Sequence, residues 1–211
     1  MSISIIGAGN VGKALGRAFV QRGLQVVYGV PDPDKSLREV DVPEDGSVRV
    51  CATPDAVAAS ELVILAVPHA AVGAIARGIA DWQGKVLVDA TNPLAPGLDG
   101  LTLGTTTCGA EALAQLAAGA RVVKAFNTTG AENLADARYP GTLPFMPVCG
   151  DDAAARQQVI ALASLIGFDA VDMGPLKSAR YLEPLAMVWI QLAIVHGHGR
   201  NFAFCRAHRP A

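Results

Sequence analysis

The 211-residue chain is poor in charge: Asp, Glu, Lys and Arg together make up 17% of it, and the formal net charge is -2. It holds no run of Lys or Arg, so it lacks the basic field that nucleic acid or an anionic membrane surface requires. Cysteine is scarce as well. Cys51, Cys108, Cys149 and Cys205 lie far apart, with no C-x-x-C pair. Met1–Ile6 runs straight into Gly7 with neither a basic n-region nor a cleavage site, so no secretory leader is expected. Free thiols in a reducing cytoplasm follow as the expectation. The longest apolar stretch, Leu185–Val195, contains Gln191 and is too short to cross a bilayer. His196, His198, Cys205 and His208 fit no zinc spacing, and no metal is expected. Apolar residues, by contrast, fill 51% of the chain, the composition of a well-packed globular protein.

Along the chain, short apolar runs alternate with helix-length segments, which predicts an α/β fold with a mainly parallel sheet covered on both faces. Strands are expected at Ser2–Ile6, Gln25–Gly29, Val48–Cys51, Leu62–Val67, Lys85–Ala90 and Arg121–Ala125, then at Phe145–Cys149 and Asp169–Asp172. Helices are expected over Asn10–Arg22, from Thr53 as N-cap with Pro54 at the first position, over Ala70–Ala80 and Glu111–Ala118, and from Asp151 as N-cap to Ile166. The segments 31–47, 92–107 and 127–144 read as loops, and a closing helix runs from about Leu176 to His196 through Pro184. No linker divides the chain, so one domain over 1–211 is expected. Residues 1–126 form its dinucleotide-binding core and 127–211 a C-terminal β-α-β extension.

Gly7-Ala8-Gly9-Asn10-Val11-Gly12 is a G-x-G-x-x-G between a buried strand and an amphipathic helix. Gly7 permits the tight turn, Gly9 the approach of a pyrophosphate, and Gly12 close packing of helix on strand. The N–H groups around Asn10 and Val11, at the positive end of the helix, would take the phosphates. A Rossmann-type dinucleotide fold is therefore expected. The end of the second strand, Gly29-Val30-Pro31-Asp32, carries neither the acidic residue that marks NAD nor the arginine that marks NADP. Asp32 comes late for a ribose, whereas Lys35 and Arg38 reach toward a 2′-phosphate or stand as solvated charges; the residues leave NAD and NADP open.

Seven segments in order resemble the coenzyme F420-dependent NADP reductase family, whose fold also forms the cytosolic domain of the STEAP metalloreductases. They are the GAGNVG turn, Ala66-Val67-Pro68, Asp89-Ala90-Thr91-Asn92-Pro93-Leu94, Lys124-Ala125-Phe126-Asn127-Thr128, Val148-Cys149-Gly150-Asp151-Asp152, Gly174-Pro175-Leu176 and Leu182-Glu183-Pro184-Leu185. The resemblance implies hydride passing directly between NADP(H) and the ring of a deazaflavin (coenzyme F420) or flavin, with the cofactors carrying the chemistry. It implies Gly9, Asn10 and Val11 at the pyrophosphate and Lys35 at the 2′-phosphate. Val67 and Pro68 fall beside the inner ribose and nicotinamide, with Asn92 and Asn127 near the nicotinamide end. The family's usual Ser-Arg pair is replaced by Val30-Pro31, and a bulky aromatic by His69.

Titratable residues look sparse at the predicted strand ends, and no Lys or His stands in a motif suited to protonating a carbonyl oxygen. His69 is then a positioner of the second ring or a bystander at a helix start. Two other readings remain. One is a dehydrogenase or imine reductase acting on a small organic substrate, against which stands the short stretch after Asp172 where such enzymes carry a helical domain. The other is a dinucleotide-binding regulator without turnover. Leu185–Ile190, apolar around the whole helix, is expected to be buried on all sides, by the chain's own core or by a second subunit; a homodimer through the C-terminal helix is the favoured reading.

Overall fold

The computed structural model describes residues 2–209. Its strands are β1 (Ser2–Ile6), β2 (Gln25–Val30), β3 (Val48–Ala52), β4 (Leu62–Leu65), β5 (Val86–Asp89), β6 (Arg121–Lys124), β7 (Phe145–Gly150) and β8 (Asp169–Asp172). They lie in one sheet in the order β3-β2-β1-β4-β5-β6-β7-β8. Every neighbouring pair is parallel except β6 and β7, where Lys124 faces Cys149 in antiparallel register. The first six strands give the doubly wound dinucleotide order, whose reversal point lies between β1 and β4.

The helices are α1 (Asn10–Val20), α2 (Pro33–Leu37), α3 (Thr53–Ala59), α4 (His69–Gly78), α5 (Gly109–Leu116), α6 (Ala131–Ala135), α7 (Ala153–Leu165) and α8 (Ala179–Ile190). Side chains alternate across each strand, so Ile3 and Ile5 face one core with Leu15 and Phe19 of α1 and Val159 and Leu162 of α7. Ile6, Val63, Leu65 and Leu87 face the other core, with Val57 of α3, Val72 of α4, Leu113 of α5 and Leu182 of α8. Burial on both sides is why these strands read as unbroken apolar runs.

A third, smaller cluster lies beyond β5. Leu94 and Leu98 from the loop after that strand meet Trp189, Ile190 and Ala193, and Phe202 and Phe204 of the tail complete it. Trp189 stacks on Phe202 at 5.4 Å. The tail then acts as a strap: the Phe145 N–H donates to the Phe204 carbonyl at 2.8 Å, and Arg206 forks onto both oxygens of Asp169.

Several local expectations need correction. Ala52, not Thr53, is the N-cap of α3, because β3 runs one residue further and the helix starts at Thr53 itself. Asp152, not Asp151, caps α7 by accepting from the Ala155 N–H at 2.7 Å. The Asp151 carboxylate turns instead to the Leu176 N–H at 2.9 Å. The segments 31–47 and 127–144 hold the one-turn helices α2 and α6. The closing segment is a 3-10 turn at Leu176–Ser178, then α8, then a π-helical turn at Gln191–Val195. Among the described residues no helix is long and apolar enough to cross a membrane.

Candidate active site

The Gly-rich turn sits between neighbours on both sides, with the Gly7 N–H donating to the Gly29 carbonyl and the Ala66 N–H to that of Ile6, each at 2.9 Å. Gly7 has φ +105°, and a Cβ there would press on Val67 Cγ1 at 2.9 Å; one on Gly12 would run into the Gly7 carbonyl. Gly9 differs, since a Cβ there would meet no protein atom within 4 Å. Packing against the rest of the chain therefore does not demand glycine at that point, and the space beside the start of α1 is open. Gly9 caps α1 without a side chain, no acidic residue occupies the first turn, and Asn10 is exposed beside it. Val11 is partly buried against the core, and Val67 and the exposed Pro68 stand at the end of β4, next to the turn.

The ends of β5 and β6 are drawn together by two asparagines. Phe126 has φ +61°, a left-handed backbone that costs a non-glycine residue energy. The strained turn sends the Phe126 ring under α1, edge-on to Phe19, while Asn127 follows on the strand end. Asn127 Nδ2 donates to Asn92 Oδ1 at 2.9 Å and to the Leu182 carbonyl at 3.2 Å, and Asn92 Nδ2 donates to the Asn127 carbonyl. With both amide hydrogens used, Asn127 Oδ1 is left as a buried acceptor without a partner among the described residues, and so is Thr128 Oγ1. Both atoms lie beside the strained turn at the end of β6, open to a hydrogen bond from outside the chain.

Sequence reasoning missed the strongest electrostatic feature. The strand ends are not poor in titratable groups: Asp89 closes β5, Lys124 closes β6, and Glu183 of α8 meets them, all fully buried. The Lys124 ammonium lies 2.9 Å from Asp89 Oδ2 and 2.9 Å from Glu183 Oε1, and donates to the Thr91 carbonyl at 2.6 Å. Burial works against this charge, but the two carboxylates outweigh it and hold the lysine pKa above its ordinary value. Glu183 also accepts from the Gly109 and Ala110 N–H groups, the positive end of α5. The signal was present in the sequence: charges ending strands buried on both faces must have partners.

His69, first residue of α4, joins this group through Thr91 Oγ1, 3.2 Å from its Nδ1. Burial lowers its pKa, Asp89 and Glu183 push it back up, and Lys124 lowers it again; the net shift is downward. Cys108 and Cys149 are no nucleophiles, since burial pushes both thiols up to about 12.

The comparisons with known proteins bear on this edge of the sheet. Residues 2–93 match the family model described as NADP oxidoreductase, coenzyme F420-dependent. The chain is 31% identical over 209 residues to the F420-dependent NADP reductase of Methanothermobacter thermautotrophicus, covering 92% of this chain and 90% of that one. It belongs to the F420-dependent NADP oxidoreductase family. A solved structure described as a candidate F420-dependent NADP-reductase from an Arthrobacter species superposes with a TM-score of 0.86 at 33% identity, covering 99% of this chain and all of that one. Metalloreductase STEAP3 of Rattus norvegicus is 30% identical over 191 residues, and the chain spans 36% of that longer relative.

As a member of the F420-dependent NADP oxidoreductases the chain is an NADP-dependent oxidoreductase, and its residues fit the dinucleotide. The cradle at Gly9 and the uncapped α1 suit a pyrophosphate, and Asn127 Oδ1 offers an acceptor to a carboxamide N–H. Lys35 and Arg38 stand exposed on and just after α2, past the end of β2, and neither is in an ion pair among the described residues. Asp32 is engaged as the cap of α2, accepting from the Lys35 N–H at 3.1 Å.

Proposed function

We propose that the chain transfers hydride directly between NADP(H) and a deazaflavin of the coenzyme F420 type, with a flavin as the alternative ring partner, in the cytoplasm. The end-to-end similarity to a reductase of that name carries the reading. Bound, the two cofactors supply the redox chemistry themselves. The protein's part is placement. In this reading Gly9, Asn10 and Val11 take the pyrophosphate, Lys35 and Arg38 the 2′-phosphate, and Val67, Pro68, Asn92 and Asn127 hold the nicotinamide end. The apolar cluster of Leu94, Leu98 and Trp189 serves as a wall for the second ring.

The purified chain with NADPH and, in turn, oxidised coenzyme F420, FMN, FAD and a panel of carbonyls and imines is expected to lose nicotinamide absorbance with the deazaflavin or a flavin. Turnover with the carbonyl or imine panel alone would establish instead the small-substrate reductase, a reading that the hydrogen-bonded His69 favours. Binding without turnover by any acceptor would leave a regulator.

We also propose a homodimer. Tyr181, Leu185, Val188, Leu192 and Val195 follow one another at spacings of four and three along α8 and the turn after it, and Tyr181, Val188 and Val195 are exposed. Such a seam pairs with a second copy of itself about a two-fold axis.

A further inference from the structure

The hydrogen bonds that end on His69 have directions fixed by donors and acceptors alone. Asp89 Oδ1 accepts from the Thr91 N–H at 2.9 Å and from the Thr91 hydroxyl at 2.7 Å, while Oδ2 accepts from Lys124. A carboxylate held by three donors has no hydrogen to give, so the one hydrogen of the Thr91 hydroxyl is committed to it. Thr91 Oγ1 can therefore offer His69 only a lone pair, and Nδ1, 3.2 Å away, must carry the hydrogen. That leaves Nε2 of the neutral ring bare, with no protein partner among the described residues. The ring lies close against Gly109, where a Cβ would come within 2.7 Å of His69 Cε1 and force it to shift. His69 starts α4 directly after Val67 and Pro68, at the ligand edge of β4.

We propose that His69 Nε2 takes up and returns the proton that accompanies the hydride, with Thr91 as the positioning residue that fixes the ring's tautomer. The inference rests on the ring-to-ring reading above. Hydride transfer needs no acid, but the net exchange releases one proton when NADP+ is reduced. In that direction His69 Nε2 forms a new N–H bond with the proton on N1 of the reduced deazaflavin. The electron pair of the broken N1–H bond stays in that ring, whose C5 gives its hydrogen with both electrons to C4 of NADP+. The imidazolium then loses its proton to solvent across its half-exposed edge; the opposite direction runs the same steps backward. The charges facing His69 are Asp89 from β5 (through Thr91), Lys124 from β6 and Glu183 from α8. Burial sets their net effect downward, so the resting ring is neutral and ready to act as a base.

Two measurements test this. Long-range 1H–15N NMR on the intact chain without ligand, with the His69 signals assigned by their loss in His69→Gln, is expected to show the Nδ1–H tautomer. Thr91→Val should raise the Nε2–H form. An Nε2–H ring in the unaltered chain overturns the inference, whether or not the variants fold. In turnover of reduced coenzyme F420 with NADP+, the rate should fall as pH drops through the lowered pKa of His69. His69→Gln should lose about a hundredfold and that limb of the profile, and Thr91→Val should lose less and move the inflection. An active wild-type chain whose His69→Gln variant keeps its rate and profile sinks this inference alone. A wild-type chain inactive with every ring acceptor sinks the proposed function and this inference with it.

Discussion

Lys124 keeps a full charge where water does not reach, and its two carboxylates are what make that tolerable. Lys124→Met would leave Asp89 and Glu183 buried without a cation, and urea denaturation is expected to show a loss of about 3–5 kcal/mol. Glu183→Gln keeps an amide oxygen for the α5 N–H groups and should cost less, about 1–3 kcal/mol. Equal losses would mean that packing, not charge, dominates the site. Gly9→Val should keep the fold, with a loss of no more than about 1 kcal/mol from the poorer cap of α1, because a Cβ there meets no protein atom within 4 Å. By calorimetry its NADPH affinity should drop at least tenfold, about 1.4 kcal/mol. Lys35→Ala should weaken NADPH more than NADH; equal effects on both would remove the 2′-phosphate from α2. The glycine pattern was legible at this scale because each of its residues answers a local backbone demand. That Asp89 and Lys124 need buried partners was legible in the same way; that those partners are each other and Glu183 was not, since they come from two strands and a distant helix and no spacing rule joins them. His69 was legible as a position; its hydrogen-bond partners were not.

At the scale of elements, the strands were readable because burial on both faces leaves little but Val, Ile and Leu in them. Their direction was not: an apolar run looks the same either way, so the antiparallel entry of β7 has no local signature. The helices α2 and α6 were missed for a related reason, since five residues give periodicity too little length to register. Capping was ambiguous at Asp151-Asp152, where either carboxylate suits a helix start. The structure divides the work, one capping α7 and the other holding the turn after β8. Asp152→Ala is expected to cost about 1 kcal/mol by losing the cap. Asp151→Ala should instead speed hydrogen exchange at the Leu176 amide. The reverse pattern would restore Asp151 as the cap.

For the molecule as a whole, the closing helix was expected to be covered all round, and the chain's own core covers one side of it, through Leu182, Ala186 and Trp189. Tyr181, Val188 and Val195 stay exposed on the other side, the seam that the proposed dimer would cover. Val188→Glu is expected to turn a dimer into a monomer in light scattering while leaving the monomer's circular dichroism intact; a dimer that survives would move the interface off α8. The strap of residues 202–206 also orders events in time. Those residues leave the ribosome after everything they fasten, and they grip the starts of β7 and β8 through Phe145 and Asp169. A nascent chain can lay down β1 to β6 early, but the last two strands gain their clamp only once residues 202–206 have emerged. Closing so long a loop has an entropic cost that grows with the chain between its ends. The six strands of the dinucleotide-type order are therefore built first, and β7 and β8 are the last to be secured.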